Sequence, residues 1–156
     1  MRLLAIALLF AFAVPVFGAD KDEDKAKEVA LAFLKAFKAK DLDAIMKTVD
    51  VPFLSDEKGE NKVIEKVEDL KANVKMRLEK FKDTSKITSE VGKVMDLADI
   101  KKLLESKKGK NDELAKIEKV LGDKGYAVML GKPGEEDGAV LVRIKDGKAA
   151  VVGVPR

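Results

Sequence analysis

The sequence predicts an α+β domain in which helices come first and a curved antiparallel sheet comes last, behind a short leader. Three observations predict it. From Asp22 to Phe81 the apolar residues recur mainly at three- and four-residue steps, the spacing of helices that bury one face. From Tyr126 to Val154 they alternate instead, around an Asp146-Gly147 pair suited to a two-residue hairpin turn. Neither an internal repeat nor a low-complexity tract interrupts this order, so one domain over residues 19–156 with helices packed on a sheet is expected.

The leader comes first. Met1-Arg2 supplies a positive start, Leu3 to Val14 is continuously apolar, Pro15 breaks the pattern, and Gly18 or Ala19 offers a small residue at which to cut. This is signal-peptide anatomy. A membrane span needs ~20 apolar residues, and here Asp20-Lys21-Asp22-Glu23-Asp24 follows too soon. Residues 1–18 are therefore expected to be removed, leaving no span in the mature chain and placing it in a periplasm or outside the cell. The chain has no Cys, so packing alone must hold the fold in an oxidising compartment.

The first helix is expected from Asp22 to about Lys40, with Ala26, Val29, Ala30, Phe33 and Phe37 inward. Asp41 then caps a short second helix carrying Leu42, Ile45, Met46 and Val49, which Pro52 ends. Pro52 to Ser55 and Lys62 to Ile64 read as two arms of a hairpin turned at Lys58-Gly59-Glu60-Asn61. Val63, Val67, Leu70, Val74, Leu78 and Phe81 share one helical face, which predicts a long third helix from about Glu65 to Lys82. Ile87 to Met95 alternates as a strand. Two short helices follow, Leu97 to Ser106 and Asp112 to Leu121, the second capped by Asn111. Strands at Tyr126 to Gly131, Ala139 to Lys145 and Lys148 to Val154 complete a meander.

The order of two helices, a short hairpin, a long helix and a final sheet resembles the cystatin-like cone of the nuclear transport factor two-like superfamily. Its best local carriers are Ala30 to Phe37, Lys40-Asp41-Leu42-Asp43-Ala44-Ile45 and Val140 to Val152 around Asp146-Gly147-Lys148. The helix pair from Leu97 to Leu121 departs from the superfamily pattern and leaves the strand order open. The resemblance implies a pocket between the helices and the concave sheet, used by some members for isomerase, dehydratase or cyclase chemistry and by others for binding alone.

Several chemistries are excluded by residue type. The chain has no His and no Cys, so zinc lacks its usual ligands, and no glycine loop of phosphate-binding spacing occurs. Asp20, Asp22 and Asp24 imitate the start of a calcium loop, but Lys25 stands at the turn position and Leu31 at the bidentate one. Ser55-Asp56-Glu57-Lys58 has Ser-x-x-Lys spacing, yet Gly59 follows at once and the partner motifs are missing. No metal and no cofactor is expected. With 31 basic and 28 acidic residues interleaved, one Tyr and no Trp, nucleic acid is not an expected partner.

Three residues remain as pocket candidates. Asp50, at the exit of the second helix, is the carboxylate closest to a pocket mouth; Tyr126 offers a hydroxyl from the sheet; Arg143 offers a cation to an anionic ligand. The leading expectation is an exported binding or interaction domain for a small molecule or protein ligand. The alternative is a cofactor-free lyase or isomerase using Asp50 with Tyr126. One further feature bears on partners. Tyr126, Val128, Leu130, Val140, Val142 and Ile144 lie on one face of the meander, but Ala127, Met129, Ala139 and Leu141 make the other face apolar too. Either the Leu97 to Leu121 helices or a second copy of the chain must cover it.

Overall fold

The structure is a computed structural model that describes residues 21–57, 59–85, 87–106, 111–132, 134–136 and 138–155. The expected leader, residues 1–18, lies outside the described residues. The elements run α1 (Lys21–Lys38), α2 (Leu42–Thr48), β1 (Val49–Glu57), β2 (Glu60–Ile64), α3 (Val67–Lys80), β3 (Val91–Asp96), α4 (Leu97–Glu105), α5 (Asn111–Leu121), β4 (Gly125–Leu130), β5 (Ala139–Lys145) and β6 (Lys148–Val154). The predicted α+β order is present throughout.

The local chemistry explains the boundaries. Asp41 accepts from the Ala44 backbone N–H at 2.9 Å and caps α2 as expected, and Asp96 caps α4 through the Asp99 N–H at 2.8 Å. These bonds satisfy donors that the first turn of a helix leaves open. Asp146 and Gly147 both adopt positive φ, 51° and 73°, the conformation a tight hairpin between β5 and β6 requires. Asn111 is the first residue of α5, and residues 107–110 before it lie outside the description.

Two elements differ from expectation. The second helix stops at Thr48, and the chain is already a strand from Val49 onward, through Pro52. Pro52 is therefore inside β1, where the parallel pairing with β6 shifts register between Val49 and Leu54 and a missing N–H is tolerated. The expected strand from Ile87 begins only at Val91, and residues 87–90 before it are irregular.

The sheet order is β2-β1-β6-β5-β4-β3. It is mixed rather than antiparallel throughout: β1 lies parallel to β6, while every other neighbouring pair is antiparallel. The antiparallel expectation rests on hairpins between neighbours in sequence. No hairpin links β1 to β6, so nothing local sets their relative direction.

Alternate residues of the strands feed two separate cores. On the concave face, Phe53, Val128, Val140, Val142 and Val151 meet Ala26, Ala30 and Phe33 of α1, Ile45 of α2, and Leu70, Val74 and Leu78 of α3. On the opposite face, Leu54, Ala127, Leu141 and Val152 meet Ile100 of α4 and Ile117, Val120 and Leu121 of α5. The inserted helices thus cover the second apolar face, the place at which a second copy was the other expectation. Their approach is close: a Cβ on Gly125 would lie 2.5 Å from the Cβ of Leu121.

The apolar stripe of α3 needs one adjustment. Leu70, Val74 and Leu78 are buried, but Val63 belongs to β2, and Val67 and Phe81 at the two ends are half exposed.

Candidate functional site: an apolar cavity with a pinned arginine

Between the concave face, α1 and α3 lies a cavity of about 710 Å³. Phe33, Leu34 and Phe37 line it from α1, and Phe53, Leu130, Val140 and Val154 from the sheet. Helix α3 contributes Asn73, Val74 and Arg77, and the irregular segment after it contributes Phe81 and residues 87–90. Gly131, Lys132 and Glu135 complete the wall. The site is mainly hydrocarbon with a few polar groups, within the ~300–1,000 Å³ usual for small-molecule sites.

Aromatic contacts shape one side. Phe37 packs against Phe33 at 6.0 Å between ring centroids and edge-on against Phe81 at 5.5 Å. Phe81 is 45% exposed, so this ring stands at the rim. The segment behind it is tied to the body by Lys38 Nζ donating to Ser89 Oγ at 3.2 Å and by the Gly131 N–H donating to Glu90 O at 3.0 Å. Gly131 has φ 112°, and a Cβ there would come within 2.9 Å of Glu135 O. Glycine permits this loop to fold back over the cavity.

The polar part is built by β1 and α3. Ser55, fully buried next to Phe53 and Leu54, donates its hydroxyl to Asn73 Oδ1 at 3.1 Å. Asn73 in turn donates from Nδ2 to Glu57 Oε1 at 3.1 Å. Arg77, one helical turn beyond Asn73, donates from Nε to Asn73 Oδ1 at 3.1 Å and from Nη2 to Ser55 Oγ at 2.8 Å and to the Asp56 carbonyl. The guanidinium is therefore held along one edge while lining the cavity.

The sequence-predicted candidates lie elsewhere. Tyr126 is buried in the concave core but is not among the residues lining the cavity. Arg143 points to the other face, where it donates to the carbonyls of Val120 and Val51 at 3.2 and 3.0 Å and to Asp50 Oδ2 at 2.6 Å. The structure thus joins Asp50 to Arg143 in a clamp between β1, β5 and the end of α5, and does not bring Asp50 to the cavity. Reading by strand alternation places Leu141 and Arg143 together, as found, on the face for which the inserted helices were one of two expected covers; what it does not give is the pairing of Arg143 with Asp50.

Ser55, Asn73, Arg77 and Phe81 were not anticipated as site residues. A signal for two of them exists: Asn73 and Arg77 are four residues apart, each one step before a buried stripe residue, Val74 and Leu78. A polar pair flanking an apolar stripe lies at its border, beside the sheet. Ser55 has no such signal.

The acids of the first helix serve structure. Asp22 binds Lys124, and Lys25 at 3.3 Å, and the hydrogen bond from Lys124 is the main cause holding its carboxyl below the ordinary range. Among the described residues no group of three or more His, Cys, Asp or Glu is placed to hold a metal ion, and no helix is long and apolar enough to cross a membrane.

No family model and no curated protein matches the chain. Among solved structures it is similar to an NTF-2 like protein of unknown function from Shewanella oneidensis MR-1, with 16% identity, a TM-score of 0.42, and 86% of this chain and 97% of that one covered. It is also similar to a Xanthomonas campestris protein named for the calcium/calmodulin dependent protein kinase II association domain. There the identity is 12%, the TM-score 0.43, and the coverage 92% and 89%. These likenesses concern fold and transfer no residue role.

Proposed function

We propose that this chain is an exported binding domain that holds a small, largely apolar molecule in its concave cavity. The observation that carries this reading is the cavity itself: about 710 Å³ bounded by Phe33, Phe37, Phe53, Val74 and Val140, with polar groups confined to one side and the rim. Burying a ligand's hydrocarbon there gains ~25 cal/mol for each Å² taken from water. The lyase or isomerase alternative needs Asp50 with Tyr126 at the reacting centre, and neither lines the cavity. Export rests on the leader at residues 1–18.

The neutral dye N-phenyl-1-naphthylamine tests the binding reading. It is expected to bind saturably at one site, with the blue-shifted emission of an apolar environment. Emission that rises linearly without saturation would overturn the proposal. Export is checked separately by sequencing the N-terminus of the protein recovered outside the cytoplasm, which is expected to begin at residue 19 or 20.

A further inference from the structure

We infer that the cavity is built for an amphiphile with an anionic head, a carboxylate, which Arg77 receives while the apolar walls take the tail. This rests on the binding reading above and adds the chemical class of the ligand. The first observation is the way Arg77 is held. Its Nε and Nη2 are engaged by Asn73, Ser55 and the Asp56 carbonyl, all neutral acceptors, and the nearby carboxylate of Glu57 receives its bond from Asn73 instead. Nη1 makes no hydrogen bond among the described residues.

The second observation is location. Arg77 is partly buried and lines the same cavity as Phe33, Phe53, Val74 and Val140. A cation withdrawn from water without a counter-charge is costly, so an anion brought by the ligand gains more here than at an open surface. With Nε and Nη2 engaged along one edge, the N–H groups of Nη1 are held in fixed geometry, and one of them can donate a charge-assisted hydrogen bond to a carboxylate oxygen.

The other charges lining the cavity differ in kind. Glu90, Lys132 and Glu135 are all exposed, on the segments that form the rim. Water screens these groups and their side chains are free to swing outward, so they set no fixed charge preference inside. Arg77 alone among the charged residues of the lining is tied into a buried hydrogen-bond network.

The test is competition between decanoate and 1-decanol for bound N-phenyl-1-naphthylamine, at a pH above the fatty-acid range and below its critical micelle concentration. The two competitors share a tail and differ in the head. Decanoate is expected to bind roughly tenfold more tightly than decanol, the scale of one charge-assisted hydrogen-bonded contact. In Arg77→Gln that preference, read as the ratio of decanoate to decanol affinity within the same variant, is expected to vanish, and in Arg77→Lys it is expected to survive in part. Equal affinity of the wild-type chain for decanoate and decanol overturns the inference and leaves the binding reading standing. A preference for decanoate that persists in Arg77→Gln also overturns it. Failure of the dye itself to bind removes both. Circular dichroism of each variant separates loss of the head-group contact from loss of the fold.

Discussion

Leu54 and Phe53 are neighbours on one strand and face opposite fates. On Leu54's side, space is closed both against α5 and between strands: a Cβ added at Gly125 would stand 2.5 Å from Leu121 of α5, and one at Gly153 would stand 2.9 Å from Leu54 of the neighbouring strand. On Phe53's side, Val142 and Val151 are packed into the concave core, whereas Val140 and Val154 also line a cavity that remains. Both faces are apolar, so hydrophobicity does not separate them. Packing does: protein interiors fill to crystal-like density when nothing prevents it, and the concave side is kept open where large rings, a buried polar network and a folded-back loop hold the walls apart.

This contrast can be broken by mutation, and the largest effect belongs to the closed face. Leu121 is fully buried, and Leu121→Ala should lower stability by ~2–5 kcal/mol, measured by urea unfolding, with dye affinity per folded molecule unchanged. Adding atoms is next. Gly125→Ala on the closed face should cost ~1–3 kcal/mol by overpacking, because the atom in its way is the Cβ of Leu121 rather than a mobile side-chain tip. Val154→Phe on the open face adds far more volume, yet should change stability by less than ~1 kcal/mol while reducing dye affinity at least tenfold, since the new ring enters the cavity. If both additions cost the same, the two faces are not different in packing.

The smallest effect is electrostatic and joins the two sides. Asp22 of α1 holds Lys124 beside β4, and its carboxyl titrates below the usual 3.8. A carboxyl lowered on folding contributes stability that is present above its unfolded pKa and lost as pH falls through the lower folded value. The stability gap between Lys124→Ala and wild type should therefore narrow as the pH is taken from neutral to about 3, and added salt should also narrow it, because the Lys124 side of the pair is exposed.

The same contrast explains what the sequence made legible. Alternation from Tyr126 to Ile144 separates the two faces of the meander, and the periodicity of α1 and α3 picks out Ala26, Ala30, Phe33, Leu70, Val74 and Leu78 as buried while failing at the ends of α3, because a single residue's side follows from local geometry. The Asp41 cap and the Asp146-Gly147 turn are equally local. The parallel β1–β6 pairing is not, since it joins segments nearly a hundred residues apart. The cavity is less legible still: a wall residue and a core residue are both apolar, and Phe53 or Val140 carries no mark of the space beside it. Asp50 and Arg143 stood out as charges near strand and helix ends, but their pairing under α5 depends on where an inserted helix docks. The role of Arg77 depends on β1, which brings Ser55 and the Asp56 carbonyl to it across the fold.

The most direct test of two unlike faces is to titrate the isotope-labelled chain with 1-decanol and follow its backbone amide resonances. Shifts are predicted to concentrate on the concave side, at Phe37, Val74, Leu130 and Val140, with Ile117, Val120 and Leu121 left unmoved. Shifts centred on α5, or spread evenly over both faces, would contradict the account.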